Sequence, residues 1–243
     1  MQTSYAVQGH GLAGDCHADS LSPRQLLIVG DALYERLSLQ PGSLRENLRI
    51  DGDIRDLEPG MLVAVGATVV LSLTFECEAC HRLNKQRSGL MKEVGGERGV
   101  LAQVLAGGSL SVGDSLICVV TMTRQWSTSW KRRIARVVSS VPDGHVIEYG
   151  QVARLAGVPR SYCRVFPKVL RDMLGASAEK AISSGESQER PRWSGHDLFS
   201  PDLATTFHRH DALAAETPGS RESPEAPSGP ASLSAFRRLE EDR

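Results

Sequence analysis

Aromatic residues make up only 5% of this 243-residue chain, against 40% hydrophobic residues overall. Its core must therefore be built mainly from aliphatic side chains. No apolar run approaches the roughly 18 residues that a membrane-spanning helix requires, so no membrane span is expected. The opening residues, MQTSYAVQGHGLAGDC, lack the basic-then-apolar order of a secretory leader, and a cytoplasmic location is the expectation. Cysteines are few and odd in number: Cys16, Cys77, Cys80, Cys118 and Cys163. That set argues against a disulfide framework. Cys118, inside the apolar run 115–120, reads as a small buried hydrophobe.

Net charge is small overall, but charge is unevenly placed. Residues 1–123 carry 10 Lys/Arg against 14 Asp/Glu, residues 124–175 carry 10 against 3, and residues 176–243 carry 8 against 12. The formal net charge of -1 therefore conceals a central basic block. Recognition depends on where charge concentrates, so this block marks a module boundary. The expected organisation is a β domain over 1–123, a basic helical unit over 124–175 and a low-complexity tail over 176–243.

In the first segment, short aliphatic runs alternate with glycine turns. Strands are expected at Leu26–Val29, Leu62–Val65, Thr68–Leu73, Val100–Leu105 and 115–120, with a short helix over Asp31–Leu37. Many short strands with glycine-rich joints favour a mainly β, barrel-like domain over a doubly wound one. Residues Gly9–Gly14 lack the phosphate-loop order GxxxxGK[ST], which weighs against a nucleotide site there. Cys77 and Cys80 form a CxxC spacing. One such pair does not complete a four-ligand zinc site, even with His17 and His81 as candidate partners.

Several segments carry a family resemblance in order: GLAGDCHA at 11–18, SPRQLLIV at 22–29, PGSLRENLRIDG at 41–52, LTFECEACHRL at 73–83 and RGVLAQVLAGGSLSVGDSL at 98–116. Together they resemble the MOSC domain, named after molybdenum-cofactor sulfurase C-termini. The resemblance implies a barrel-like β core, binding of molybdenum cofactor or transfer of sulfur, and a functional cysteine at Cys80. The usual Pro-Cys pair is here Ala79-Cys80, and the strand expected ahead of the GLAGD segment has little sequence to form it. A thiolate at Cys80 could accept sulfur as a persulfide. Arg24, Arg45, Asn47, His81 and Arg98 are the cofactor-binding candidates, the arginines as an anion pocket. A pyridoxal-phosphate-dependent cysteine desulfurase would be the sulfur donor, with pyridoxal phosphate on that partner, and a molybdoenzyme is the other partner class. A plain buried or surface thiol is the competing reading of Cys80.

The basic block gives a helix over Trp130–Val138, a short extended piece over Val146–Tyr149, a helix over Gly150–Ala156 and another over Ser161–Met173 bent near Pro167. VPDGHVIEYGQVARLAGVPRS at 141–161 resembles the DNA-binding region of O6-alkylguanine DNA alkyltransferases and alkyltransferase-like proteins. It implies a small, incomplete winged helix with Tyr149 at a flipped nucleotide and Arg160, Arg164 and Lys168 on the DNA backbone. No PCHRV or PWHRV sequence follows, and Cys163 stands in the wrong motif to accept an alkyl group. Alkyl transfer is therefore not expected. A non-catalytic DNA-binding or alkylation-damage-sensing adaptor is the alternative to sulfur chemistry.

Beyond residue 175, Ser, Pro, Glu and Gly recur, and PGSRESPEAPSGPAS at 218–232 reads as a disordered linker. Ser234–Arg243 reads as a short charged helix. Trp193 and Phe199 are candidates to fold back onto a domain. The histidines at 196, 208 and 210 read as an exposed polar tract and not a metal cluster.

Overall fold

The computed structural model describes residues 3–119, 126–185, 189–199 and 231–236. The strands are β1 (Thr3–Val7), β2 (Gly11–Leu12), β3 (Leu26–Gly30), β4 (Leu48–Ile50), β5 (Leu62–Val65), β6 (Val69–Glu76), β7 (Val100–Ala106), β8 (Gly108–Ser111), β9 (Ser115–Val119), β10 (Ile147–Glu148), β11 (Ala181–Ile182) and β12 (Ala231–Phe236). Of these, β3, β5, β6, β7, β9 and β10 fall on the runs expected to be extended. A closed barrel runs β12-β4-β3-β7-β6-β5-β9. Only the β3–β4 pairing among these is parallel. β1 stands outside the barrel, paired with β2 and β8, so a strand does precede the GLAGD segment.

β3 explains how the barrel and the basic unit come together. All five of its residues are buried. Leu26 and Ile28 point into the barrel with Leu71, Leu73, Ala102 and Val104. Leu27 and Val29, on the alternate face, join Phe75 and Leu101 in a second core. A strand buried on both faces reads as a continuous apolar run, and the LLIV sequence is one.

That second core is completed by helices. α1 (Asp31–Arg36), α2 (Leu83–Gln86) and α3 (Leu90–Val94) follow barrel strands, and α4 (Trp130–Ser139), α5 (Tyr149–Leu155) and α6 (Phe166–Leu174) form the basic unit. Ile134, Val137 and Val138, at i, i+3 and i+4 of α4, are fully buried with Val152, Leu155, Phe166 and Leu170. Burying a side chain of this size stabilises the fold by about 1.5–3 kcal/mol each.

The structure departs from expectation in several places. The basic unit shares its core with the barrel, and its two-stranded β10–β11 pairing is parallel, so the described residues form no separate winged helix with an antiparallel wing. The helix expected over Ser161–Met173 divides into a 3₁₀ segment at Arg160–Val165 and α6, with Pro167 in the first turn of α6, where its missing N–H costs nothing. Not all of the basic block faces solvent. Arg133 is 3% exposed, its guanidinium 3.8 Å from the Phe75 ring centre, donating to the carbonyls of Ser127, Thr128 and Ala156. Burial pushes its pKa down to about 10.

The tail also contributes to the fold. Residues 231–236, taken for linker and helix, are the barrel-closing strand, with Leu233 fully buried. Phe199 stacks on Trp126 at 5.6 Å, and Trp193 packs against the second core. His208, His210 and the rest of 200–230 lie outside the described residues. Cys118 is exposed and not a core thiol. Cys118 still pairs with Val63 of β5, but on its other side β12 pairs with β9 only at Ser115 and Leu116.

Candidate functional site

The segment after β6 is fixed before its cysteines appear. Thr74 Oγ1 donates to Pro23 O and is within 3.0 Å of Leu101 O, and the Cys77 amide donates to Gly99 O at 2.8 Å. Gly99 has φ +145, and a Cβ there would sit 2.4 Å from Ile28 O, so only glycine lets these strands approach. Cys77 is thereby buried at 1% exposure, with Arg24 Nη2 3.6 Å from its sulfur. Cys80, three residues on, is half-buried at the start of the turn into α2.

Arg98 organises the Cys80 side. It is 7% exposed, and Nη1 donates to Glu78 O at 3.3 Å and lies 3.7 Å from Cys80 Sγ. Nη2 donates to Leu44 O at 3.0 Å, while Nε is buried without a hydrogen-bond partner. A guanidinium held by carbonyls keeps its full charge available to an anion.

Leu44 leads directly to Arg45, which has a left-handed backbone at φ +58. For a residue with a Cβ that conformation costs about 1–3 kcal/mol and recurs at ligand sites. Its neighbour Glu46 anchors the turn, accepting from the Tyr34 hydroxyl and the Gly42 amide. Burial and the Glu46 carboxylate push the Tyr34 phenol well above the usual range, so it stays a donor. Asn47 is a brace: its Oδ1 accepts the Leu27 amide at 2.9 Å and its Nδ2 donates to Asp15 Oδ2 at 2.8 Å.

On the facing loop, Cys16 Sγ lies 2.8 Å from His17 Nδ1. Desolvation in this crowded rim holds the His17 pKa below its ordinary value. Arg45, Arg82 and Arg24 act in the same direction, and Asp15 opposes them. Three guanidinia thus bear on one imidazole at this rim, an imidazole that is itself exposed. Among the predicted site residues, the structure brings Cys80 together with Arg98. Asn47 braces Asp15, and His81 is exposed beside Cys80. Cys16 and Arg82 were not singled out as site residues from sequence, and His17 was weighed only as a zinc partner; the polar GDCH run ahead of an aliphatic strand is the signal that marks Cys16 and His17.

A cavity of about 700 Å³ lies elsewhere, lined in part by Arg36, Arg55, Glu76, Glu97 and Trp126. It contains none of the predicted site residues, and Arg36–Glu97 and Arg55–Asp53 already pair across its wall. Size favours this cavity, but the convergence of thiols and cations favours the rim.

Comparison with known proteins agrees with this fold. The family model for the MOSC domain matches residues 20–117. Most of the barrel thus lies in a segment similar to the MOSC domain. Solved structures similar to the chain include YiiM from Escherichia coli, at 20% identity over 70% of this chain and 86% of that one, with a TM-score of 0.44. YuaD from Bacillus subtilis matches at 18% identity over 48% and 84%, with a TM-score of 0.38. A hypothetical protein of known crystal structure matches at 21% over 72% and 84%, with a TM-score of 0.43. No curated protein matches the chain.

The MOSC match covers Arg24, Arg45, Asn47, Cys80, His81 and Arg98, and stops short of the DNA-binding candidates. Those divide by environment. Arg160, Arg164 and Lys168 are exposed, with the Arg160 guanidinium lying over Gly150. Tyr149 is half-buried, edge-on to Phe166 with ring centres 6.2 Å apart, which makes it a packing residue. Cys163 is 3.4 Å from Tyr149 O, and burial pushes its thiol up against the pull of Arg160. That is the wrong direction for an alkyl acceptor. Among the described residues no helix is long and apolar enough to cross a membrane.

Proposed function

We propose that this MOSC-like domain carries sulfur as a persulfide on Cys80. The observation that carries the reading is Arg98, a buried guanidinium whose Nη1 sits 3.7 Å from Cys80 Sγ. A cysteine desulfurase, using its own pyridoxal phosphate, presents a persulfide. The Cys80 thiolate attacks the terminal sulfur, forming a new S–S bond while the donor cysteine leaves as thiolate. Arg98 holds positive charge beside the sulfur before and after transfer. Delivery onward, to a cysteine thiolate of a molybdoenzyme, reverses these roles: that thiolate attacks the outer sulfur and Cys80 leaves as thiolate.

The residues present fit an anionic cofactor. Arg24, Arg45 and Arg82 act on a single imidazole, and the Arg98 Nε has no protein partner. These arginines would hold the phosphate of a molybdenum cofactor, and its metal, when bound, would receive sulfur as a ligand. This chain's part is to bind that anion and present Cys80. Incubating the full chain with a cysteine desulfurase and cysteine, then mapping adducts by mass spectrometry, tests the proposal. A gain of one sulfur at Cys80, absent in Cys80→Ser, is expected. No adduct under conditions that load a known acceptor would refute carrier chemistry.

A second reading rests on a different face. Arg160, Arg164 and Lys168 project to solvent from the 3₁₀ segment and α6, which suits non-catalytic contact with DNA phosphates. Fluorescence anisotropy with plain and alkylated duplexes at two salt concentrations tests it. Salt-sensitive binding, reduced in the triple alanine variant, is expected; equal binding to both duplexes would rule out damage sensing.

A further inference from the structure

Asp15, Cys16 and His17 place one carboxylate oxygen, one sulfur and one ring nitrogen within 4.8 Å of one another. This is the one such trio among the described residues, and it excludes both members of the CxxC pair. We propose that it is a binding site for a thiophilic divalent cation, of the zinc or cobalt(II) class, separate from sulfur carriage at Cys80.

Geometry permits it with small side-chain movements. Metal–sulfur and metal–nitrogen bonds of about 2.3 and 2.0 Å set tetrahedral ligand separations of roughly 3.5 Å. The Cys16–His17 pair, at 2.8 Å, must open by less than an ångström, which rotation of the exposed thiol supplies, and the other separations, all within 4.8 Å, must close by no more than about 1.3 Å. The donor set also selects the ion. One thiolate and one imidazole favour zinc or cobalt over magnesium or calcium, which prefer oxygen alone.

The carboxylate is already oriented. Asp15 is 6% exposed, and one oxygen accepts from Asn47 Nδ2, while Asn47 is itself fixed by the Leu27 amide. Such outer partners turn a flexible acid into a directed ligand, and losing one typically costs about 10–100-fold in metal affinity. Charge is the obvious objection, because Arg24, Arg45 and Arg82 surround the site. Thiolate and carboxylate together neutralise the dication, and the thiol proton leaves on binding. Three protein ligands leave a fourth position, as in catalytic zinc sites. The surrounding guanidinia favour an anion there, such as hydroxide or a small oxyanion.

Titration of the reduced, untagged full chain with cobalt(II) under anaerobic conditions tests this. A near-ultraviolet thiolate-to-cobalt charge-transfer band saturating at one equivalent, and displaced by zinc, is expected. Cys16→Ser removes the band; Cys80→Ser keeps it while abolishing sulfur loading, so failure of the two readings can be told apart. His17→Gln and Asp15→Asn should weaken cobalt binding by about tenfold or more. A second measurement needs no variant: zinc should protect Cys16, and not Cys80, from iodoacetamide, read by peptide mass spectrometry. Absence of a saturable band, its survival in a folded Cys16→Ser variant, its loss in Cys80→Ser, or equal labelling of Cys16 with and without zinc would each overturn the proposal.

Discussion

Arg98 Nη1 stands 3.7 Å from Cys80 Sγ, across 18 residues of sequence. The same side chain also ties Glu78 O to Leu44 O, so it both shapes the Cys80 turn and charges it. Replacing Arg98 with Met should slow sulfur loading of Cys80 by roughly tenfold or more, because a hydrogen bond to a charged group is worth about 1.5–3 kcal/mol. Lys restores the charge without the fork and should recover part of the rate. The measurement is the rate of adduct formation at fixed desulfurase. Unchanged loading in a folded Arg98→Met protein would remove Arg98 from the mechanism.

Gly157 is where the basic unit touches the rim. Its φ is +61, and a Cβ would lie 2.9 Å from Arg24 Cγ and 3.0 Å from the Phe75 ring. Its carbonyl also accepts from Arg24 Nη1 at 3.2 Å. Gly157→Ala therefore combines backbone strain with overpacking and should destabilise the fold by about 1–3 kcal/mol. Denaturant titration gives the size of the effect. Because Arg24 must move, the buried Cys77 should also react faster with a thiol reagent; a stable variant with unchanged reactivity would contradict this packing.

Much of the barrel was legible because its strands obey simple alternation: LLIV at 26–29 and the run from Val69 to Leu73 both emerged near their expected bounds. A motif marked Cys80 as a candidate, and the structure adds Arg98 beside it. What sequence could not supply was convergence. Arg133 sits in a run of basic residues, and its burial against Phe75 and the Ala156 carbonyl follows only from the fold. Likewise Arg82 and Arg45, 37 positions apart in numbering, meet only through their common effect on His17. β12 was hidden for a different reason. A six-residue ASLSAF strand in a Ser/Pro/Gly-rich tail has little intrinsic preference, and its pairing with β4 and β9 decides its state.

That strand yields a direct test. Leu233 is fully buried in the barrel core, its amide donating to Asp114 O and its carbonyl accepting from Gly113. Leu233→Ala should cost about 2–5 kcal/mol. Replacing the neighbouring Ser232 with Ala should cost far less, since that residue is only half-buried. Equal, small effects of both changes would show that residues 231–236 do not close the barrel in solution.

His17 makes stability depend on pH in a predictable direction. Its folded pKa is lowered, chiefly by desolvation and further by Arg45, Arg82 and Arg24, so the fold prefers the neutral ring. The unfolded chain then binds more protons than the folded one between the folded pKa and the ordinary histidine value of about 6.5. The contribution is fully present above that ordinary value and is lost as pH falls toward the folded pKa. Carboxylates also weaken the fold in acid, so the informative quantity is a difference between proteins. His17→Gln, which carries no titrating ring, should lose less stability than wild type when urea midpoints at pH 8 and about pH 5 are compared. If the variant instead loses as much as wild type, desolvation and the three guanidinia do not lower the His17 pKa in solution.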